Sequence, residues 1–355
     1  MNRHVTLHAK NSHQKTRPAR LGGVFPFLYK NSAQRHSRGM TAYTTFSGAL
    51  PLCLLPCPDL SVAAERTRRA LEQAGPGHLR PLYGARVLVK PNLLRATPLA
   101  CTSPTVVAAA CAWLLDQGAR VTVLDSPGFG RAASVARAIG LGDSLRPLGL
   151  AVSGPGKAVP LRLDNGSCFG VSRRALESDL ILSVPRVKAH SQMLLTLAVK
   201  NLFGLVAGMR KALAHTREGQ SPDGFANALA ALWAALPPVA ALADGIIAMQ
   251  RTGPSGGIPH PLGLLASSPS AVALDEALCA VLGVEFRRTP LGAALERRHA
   301  PGCAAAGAIV RYTDARPEEV AVRDFALPAE LTHTSFRPGR LLRSCLRRFW
   351  LGLRP

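Results

Sequence analysis

The sequence predicts an α/β protein built on a mixed, mostly parallel sheet with helices on both faces. Short apolar runs, such as 86–90 and 120–124, alternate with longer helical patterns, such as 104–117. Strands that alternate with helices over short loops are typical of parallel sheets. The chain has 355 residues, of which 47% are hydrophobic, so it can bury a large core.

Local signals predict the first elements of this fold. An apolar run predicts a strand at 49–55, and Asp59 is placed to cap a helix that extends to about Ala74. Ser103 and Pro104 mark the start of the next helix, because serine caps helices and proline suits the first helical position. The strand at 86–90 precedes that helix, and the strand at 120–124 follows it.

The second half of the chain continues the alternation. Glycines interrupt a helical region at 131–148, and the pattern then changes to short strands. Pro237 and Pro238 end a helix rich in Ala and Leu, because proline cannot continue a helix. The remaining predicted elements are short strands within 150–171, a strand at 179–184, a helix at 225–236, strands at 239–243 and 262–267, and a helix at 271–282.

The positive charge is concentrated at the two ends of the chain. The net charge is +22, and residues 1–40 and 331–355 contain eight and six Lys or Arg residues with no Asp or Glu. We expect a disordered basic tail or a start codon assigned too early over 1–40, an α/β domain over 41–330, and a basic amphipathic tail over 331–355. This charge favours loose association with polyanions or anionic membrane surfaces.

The composition argues against several classes of protein. Aromatic residues make up only 5% and no zinc-finger spacing occurs, so specific nucleic-acid binding is not expected. No apolar run approaches the roughly 18 residues that a transmembrane segment needs. The eight cysteines include no C-x-x-C pair, which indicates free thiols in a reducing compartment. We therefore expect a cytoplasmic protein.

Lysine is rare in this chain, which makes its positions informative. Only eight of the 43 basic residues are lysines, and Lys90, Lys188, Lys200 and Lys211 lie in apolar or motif-like settings. Lys200 stands out because LTLAVKNLFGLV surrounds it. A buried ammonium needs a partner or a function, since desolvating it is costly. Where the chain otherwise uses arginine, a lysine indicates a titratable or point-charge donor. Chance and structural ion pairing are the alternative.

The predicted strands direct polar side chains to one edge of the sheet. In open α/β sheets, ligands bind beyond the carboxyl ends of the strands. Lys90, Asp125, Lys188, His190 and Asp244 all follow such predicted ends. Several functional groups at a single edge are a stronger indication of a site than any one of them.

Each polar group has a candidate role beside a plain structural one. Lysines and asparagines could hold a carboxylate or phosphate, histidines could act as proton shuttles or ligands, and aspartates could orient a lysine, hold a metal or accept a proton. Turn capping and surface positions are the alternatives. The candidates are Lys188, His190, Lys200 and His215 for catalysis, Lys90, Asn92, Ser126, Asn201 and Lys211 for substrate binding, and Asp125 and Asp244 for a metal.

Five motifs in a defined order make the chain resemble a known family. They are VLVKPNLL, DSPGFG, LSVPRVKAH, TLAVKNLFGLVAGMRKALAH and DGIIAMQRTGPSGG, within residues 49–285. Together they resemble the domain-of-unknown-function 362 family. The resemblance implies that the candidate residues above occupy the family's polar motif positions, without saying which are catalytic.

The chain departs from this family at two places. Many members carry a ferredoxin-like iron–sulfur module after the domain, but no C-x-x-C-x-x-C occurs here, so a ferredoxin-type [4Fe–4S] cluster is not expected on this chain. Arg186 stands where the family usually has the first lysine of a Lys-x-Lys-x-His turn. We expect that turn, with Lys188 and His190, to be polar and exposed. Arginine retains the charge but not the ammonium geometry.

Three functions remain open from the sequence. The first is an enzyme whose cleft binds a small anionic substrate, with lysines neutralising charge and a His/Asp pair moving protons. Metal-assisted chemistry, or a reductive reaction fed by an external electron donor, extends this hypothesis by family association. The second is binding or delivery of an anionic metabolite or cofactor. The third is a basic protein that binds polyanions or membrane surfaces through its two ends.

Overall fold

The computed structural model describes residues 49–207, 222–254 and 256–332. The strands in these ranges are β1 (Leu50–Pro56), β2 (Arg86–Pro91), β3 (Arg120–Leu124), β4 (Val152–Ser153), β5 (Ala158–Arg162), β6 (Cys168–Ser172), β7 (Leu180–Val184), β8 (Arg186–His190), β9 (Leu194–Thr196), β10 (Val239–Gln250), β11 (Ile258–His260), β12 (Leu264–Ser268) and β13 (Val310–Tyr312). The α-helices are α1 (Ala63–Ala74), α2 (Pro104–Asp116), α3 (Ala132–Ala138), α4 (Leu141–Leu145), α5 (Arg173–Glu177), α6 (Ala198–Asn201), α7 (Pro222–Ala235), α8 (Ala271–Val281) and α9 (Pro290–Arg297).

The main sheet is mixed and mostly parallel, which confirms the predicted fold class. Its strands follow the order β13–β1–β12–β10–β7–β2–β3–β4. Only the β1–β12 and β12–β10 pairs of this order are antiparallel. In addition, β8 pairs with β10 and β9, β11 pairs with β10, and β5 and β6 form a separate hairpin. Because β2, β3 and β7 run in the same direction, their carboxyl ends lie at one edge of the sheet.

Helices cover both faces of the sheet, as predicted. In β2, Leu88 enters the apolar layer that contains Phe225 of α7, whereas Val87 and Val89 enter the layer that contains Val106 of α2. Successive side chains of a strand point to opposite faces. Central strands covered on both sides are therefore apolar at almost every position.

The long strand β10 corrects one predicted boundary. The sequence predicts a strand that ends at Ala243 and presents Asp244 beyond it, but β10 runs to Gln250 and contains Asp244. The ladder continues because β10 exchanges partners: it pairs with β7 as far as Ala241 and with β8 from Asp244 onward. The prediction that Asp244 follows a strand end is wrong.

The segment with Arg186, Lys188 and His190 is a buried strand, so the prediction of an exposed polar turn is wrong. β8 lies between β10 and β9, and the three side chains are buried. They alternate with Val187 and Ala189, which enter the apolar core. Pairing with strands distant in the sequence therefore buries a segment whose own residues are half polar.

Several predicted features lie outside the described residues. These are residues 1–40, Lys211, His215 and residues 333–355 of the predicted C-terminal tail. Within the described ranges, none of the seven cysteines forms a disulfide. No helix in those ranges combines the length and the apolar character needed to cross a lipid bilayer.

Candidate functional site

Lys90, near the end of β2, is a fully satisfied buried ammonium. Its side chain is 1% exposed. Nζ lies 2.8 Å from Asp125 Oδ1 and donates to Pro91 O at 2.6 Å and to Asn201 Oδ1 at 3.1 Å. An ammonium has three N–H donors, so these three acceptors use all of them.

Asp125 directly follows β3, where the sequence predicts it. Besides pairing with Lys90, it accepts hydrogen bonds from Ser126 N at Oδ1 and from Leu93 N at Oδ2, both at 2.6 Å. Gly204 packs tightly against this pair: a Cβ at that position would lie 2.3 Å from Asp125 Oδ1. The pair therefore requires glycine at position 204.

Two asparagines connect Lys90 to the second buried lysine. Asn201 Oδ1 accepts from Lys90 Nζ and from Asn92 Nδ2, the latter at 3.0 Å, and Asn201 Nδ2 donates to Lys90 O and Ser183 Oγ. Asn92 Oδ1 in turn accepts from Lys188 Nζ at 2.7 Å. The four side chains form one hydrogen-bonded chain from β2 to β8.

Lys188 has a different set of partners from Lys90. It is 1% exposed, and Nζ donates to Asn92 Oδ1 at 2.7 Å and to Ala100 O at 3.1 Å. Both acceptors are uncharged, and no carboxylate of the described ranges forms an ion pair with it. Two acceptors satisfy a neutral amine, which has two N–H donors, whereas an ammonium has a third.

The electrostatics of the two lysines follow these contacts. The pKa of Lys188 is lowered to about 7, mainly by burial; Cys101 and Asp125 oppose this lowering, and the nearby cations Arg186 and Lys90 add to it. Burial also lowers the pKa of Lys90, but Asp125 opposes that effect through the ion pair. Lys188 thus combines a pKa near neutral pH with uncharged acceptors, whereas Lys90 has a carboxylate partner.

Arg186 of β8 forms hydrogen bonds and an ion pair with residues from other parts of the chain. Its guanidinium donates to Cys101 O at 2.8 Å, to Ile247 O at 2.5 Å and to Ser103 Oγ at 2.9 Å. It also lies 3.3 Å from Asp244 Oδ2. These contacts join β8 to β10 and to the segment before α2. Arg186 and Asp244 therefore fix the positions of these elements around Lys188.

His190 lies on the same face of β8 as Lys188 and is also buried. Its Nδ1 accepts hydrogen bonds from Gln192 N at 3.0 Å and Met193 N at 3.2 Å. An accepting Nδ1 carries no proton, so the proton of the neutral ring is on Nε2.

Residues 87–280 match the model of the family described as Domain of unknown function (DUF362). A thylakoid-associated protein of Synechocystis sp. is 34% identical over 272 residues, which cover 76% of this chain and 84% of that protein. The chain belongs to this family. The matched range contains every candidate site residue, from Lys90 to Asp244.

Two solved structures are similar to parts of this family member. The lactate racemase apoprotein from Thermoanaerobacterium thermosaccharolyticum matches with a TM-score of 0.44 and 15% identity, over 63% of this chain and 55% of that one. A Thermotoga maritima protein matches with a TM-score of 0.38 and 12% identity, over 58% of this chain and 55% of that one. The chain thus spans about half the length of these solved chains.

The contacts of residue 186 explain why an arginine suits this position. A guanidinium is a planar fork with five N–H donors, whereas an ammonium is a compact group with three. The three acceptors of Arg186 lie on different segments, so a lysine could not reach all of them.

Lys200 is the candidate whose surroundings differ most from the prediction. The sequence places it in buried apolar surroundings, but it is partly exposed, with Nζ 5.9 Å from the centroid of the Phe225 ring. The helix α6 is only four residues long and buries Ala198, Val199 and Asn201, which leaves Lys200 on the outer side. The expectation that Lys200 is buried is wrong.

Sequence reasoning missed Asp275, which binds the backbone at the start of α6. This residue of α8 is 2% exposed, and its carboxylate accepts hydrogen bonds from Ala198 N at 2.7 Å and Val199 N at 3.0 Å. Burial raises the pKa of Asp275 to about 7. The two hydrogen bonds fix the start of α6, which carries Asn201. A charged residue inside the apolar run AVALDEALCAV is the signal that could have found it.

A second missed residue is Thr196 of β9. It lies directly opposite Lys188 in the β8–β9 ladder. Its side chain is 4% exposed, and among the described residues its Oγ1 has no hydrogen-bond partner. Buried hydroxyls are normally bonded, so this group marks a place where a bound molecule could be held. A lone threonine in a short apolar segment gives no such signal in the sequence.

The described residues do not contain the ligand set of a metal cluster. In those ranges no three His, Cys, Asp or Glu side chains come together as metal ligands. The donor set there therefore does not fit a [4Fe–4S] cluster, which needs several thiolates. Asp125 and Asp244 each face a cation, Lys90 and Arg186. Their assignment as metal ligands stays a prediction.

Proposed function

We propose that the cluster around Lys188 is an enzyme site for a small anion and that Lys188 exchanges a proton with the bound molecule. The observation that carries this proposal is the burial of Lys188 without a carboxylate of its own. General acid–base catalysis is most efficient when the catalytic pKa lies near the working pH. A lysine with its pKa lowered to about 7 meets that condition.

The charges of the cluster support an anionic ligand. Asp125 neutralises Lys90, and Asp244 neutralises Arg186. When Lys188 takes up a proton, one positive charge remains unbalanced in a buried setting. A bound anion would balance it, because a buried charge is stable only when it is paired.

Anion binding should therefore be coupled to proton uptake. A nearby anion favours the ammonium form of Lys188 and raises its pKa. Since that pKa is about 7 in the free protein, binding at about pH 8 should bring a proton from the buffer. The affinity for the anion should fall as the pH rises above about 7.

Calorimetry tests this coupling. Acetate, glyoxylate and inorganic phosphate are titrated into the full-length protein in two buffers of equal pH and different ionisation enthalpy. At least one anion should bind with a heat that depends on the buffer. Lys188→Met should abolish that dependence, and Lys157→Met, which changes an exposed lysine, should retain it. Absence of binding, or binding without proton uptake, would contradict the proposal.

Turnover separates an enzyme from a binding or delivery protein. Protein purified without oxygen is denatured, and the released small molecules and metals are identified. Turnover of the released molecule by the wild type but not by Lys188→Met supports an enzyme, whereas retention without turnover supports delivery. A stoichiometric transition metal would extend the proposal to metal-assisted chemistry or to reduction by an external electron donor. We also propose a cytoplasmic location, because the cysteines of the described ranges form no disulfides.

A further inference from the structure

We propose that Lys188 is a nucleophile that forms an imine with a small oxo-carboxylate, a molecule with both a carbonyl group and a carboxylate. This inference rests on the proposed function, because it names the substrate class of the same site. Once the imine takes up a proton, the carboxylate balances its positive charge. The carbonyl carbon is the group that a buried, uncharged lysine amine attacks.

The hydrogen bonds of Lys188 leave its electron pair for this reaction. A neutral amine has two N–H donors and one lone pair. Asn92 Oδ1 and Ala100 O accept from the two donors, so the lone pair is the remaining valence of Nζ. Lys90 shows the contrast, because three acceptors around its ammonium leave no lone pair.

Thr196 adds a second group on the same side of the hairpin. Residues directly opposite each other in an antiparallel pair share a face, with Cβ atoms about 5 Å apart. Thr196 is the partner of Lys188 in the ladder, and its buried Oγ1 has no hydrogen-bond partner within the described ranges. That hydroxyl can donate to an oxygen of a molecule bound at Lys188.

The segment 92–103 supplies both hydrogen-bond acceptors of the amine, so its displacement is the route we propose for a substrate to reach Nζ. Two hydrogen bonds hold its ends together: Thr102 N donates to Asn92 O at 2.9 Å, and Asn92 N donates to Thr102 Oγ1 at 2.8 Å. Residues 95–96 are exposed. Ala100 O, two residues before Thr102, makes the longer of the two hydrogen bonds to Lys188 Nζ. Opening the segment would break that bond and expose the amine.

The chemistry balances without an oxidant or reductant. The Nζ lone pair attacks the carbonyl carbon, and the carbonyl oxygen becomes the hydroxyl of a carbinolamine. Both amine protons then leave with that oxygen as water while the C=N bond forms. Asn92 Oδ1, 2.7 Å from Nζ, is placed to accept a hydrogen bond from the carbinolamine hydroxyl.

Reductive trapping with glyoxylate tests the proposal. The full-length protein is incubated at neutral pH with glyoxylate and cyanoborohydride, which converts an imine to a stable secondary amine. Mass spectrometry then locates the adducts, and the chain has only eight lysines to map. Acetaldehyde is the matched carbonyl without a carboxylate, and acetate is the matched carboxylate without a reactive carbonyl. The exposed Lys157 is the internal control.

Glyoxylate should modify Lys188 at least about tenfold more than Lys157, because an ordinary lysine is protonated at neutral pH. Acetaldehyde should react more weakly at Lys188, acetate should slow the glyoxylate reaction, and Lys188→Arg should remove the adduct. Modification of Lys157 with Lys188 untouched would overturn the inference, as would equal reaction with acetaldehyde.

The failure of this inference is distinguishable from failure of the proposed function. If glyoxylate and acetate bind with proton uptake but no adduct forms on Lys188, the imine inference is wrong and the anion site stands. If neither anion binds and no adduct forms, both are wrong. Because the adduct is mapped in the wild type, the test holds even if Lys188→Arg does not fold.

Discussion

Lys90 and Lys188 belong to one hydrogen-bonded chain and are equally buried, but their partners differ in charge. Lys90 has a carboxylate and two further acceptors, which suit an ammonium. Lys188 has two neutral acceptors, which suit an amine, and burial brings its pKa to about 7. The comparison teaches that the partner, more than the burial, separates a structural lysine from a reactive one.

The largest effect on stability is expected from Lys90→Met. This change leaves Asp125 buried without its cation, which should lower the free energy of unfolding by about 3–5 kcal/mol. Urea unfolding measures the loss. The double variant Lys90→Met/Asp125→Asn should recover much of it, because no uncompensated charge remains. An equal loss in the single and double variants would show that the ion pair is not its source.

Arg186→Lys should have the next largest effect. The substitution retains the charge but gives up hydrogen bonds to Cys101 O, Ile247 O or Ser103 Oγ, and each buried acceptor left without a donor costs about 1–3 kcal/mol. A total loss of about 2–3 kcal/mol is expected from urea unfolding. Arg162→Lys, at an exposed position, is the control. Similar small changes in both variants would contradict the bracing role of Arg186.

The pH dependence of stability should show whether Lys188 has a lowered pKa in the folded protein. Its pKa is about 7 in the folded protein against an ordinary value of 10.5. Between these values the unfolded chain binds more protons, so the free energy of unfolding should rise with pH. The contribution of this group approaches about 1.4 kcal/mol per pH unit. Unfolding is measured between about pH 7 and pH 7.5, where most unfolded-state thiols remain protonated.

Substitution assigns that slope to its source. Lys188→Met should lose this contribution, so that the slope of its free energy of unfolding against pH is less positive than that of the wild type. Lys157→Met should follow the wild type throughout the window. If Lys188→Met and the wild type have the same slope, Lys188 does not titrate near neutral pH.

The smallest effect on stability is expected from Lys200→Met. Lys200 is partly exposed, and a cation over an aromatic ring contributes about 0.5–1 kcal/mol at such a site. Thermal unfolding should therefore show a loss of at most about 1 kcal/mol. A loss as large as that of Lys90→Met would reverse the ranking of the three lysines.

Much of the fold could be predicted because its signals are local. Strand β3 lies at the predicted residues 120–124, and α2 begins at Pro104 after Ser103 as expected. Strand β8 could not be recognised in this way, because its alternation of polar and apolar residues is also typical of a half-exposed segment. Its burial arises from β10 and β9, which contact it through tertiary pairing.

The positions of the candidate residues along the strands could be predicted, but their hydrogen-bond and ion-pair partners could not. Sequence reasoning placed Lys90 and Asp125 at strand ends along one edge of the sheet, and the structure joins them in an ion pair. It singled out Lys200 for its apolar surroundings, yet Lys188 is the lysine buried without a carboxylate. Lys90 receives a carboxylate because Asp125 follows β3, which pairs with β2, whereas Lys188 lies on β8 between β10 and β9. These strand pairings are tertiary, and no local pattern encodes them.

The central claim is that Lys188 is an uncharged amine in part of the folded molecules at neutral pH. Nuclear magnetic resonance of protein labelled with carbon-13 at lysine Cε tests it most directly, because the eight lysines give few signals and Lys188→Arg assigns the relevant one. The claim predicts one resonance that titrates with a pKa of about 7. If the Lys188 resonance titrates at the ordinary value of about 10, the amine is protonated at neutral pH and the account is wrong.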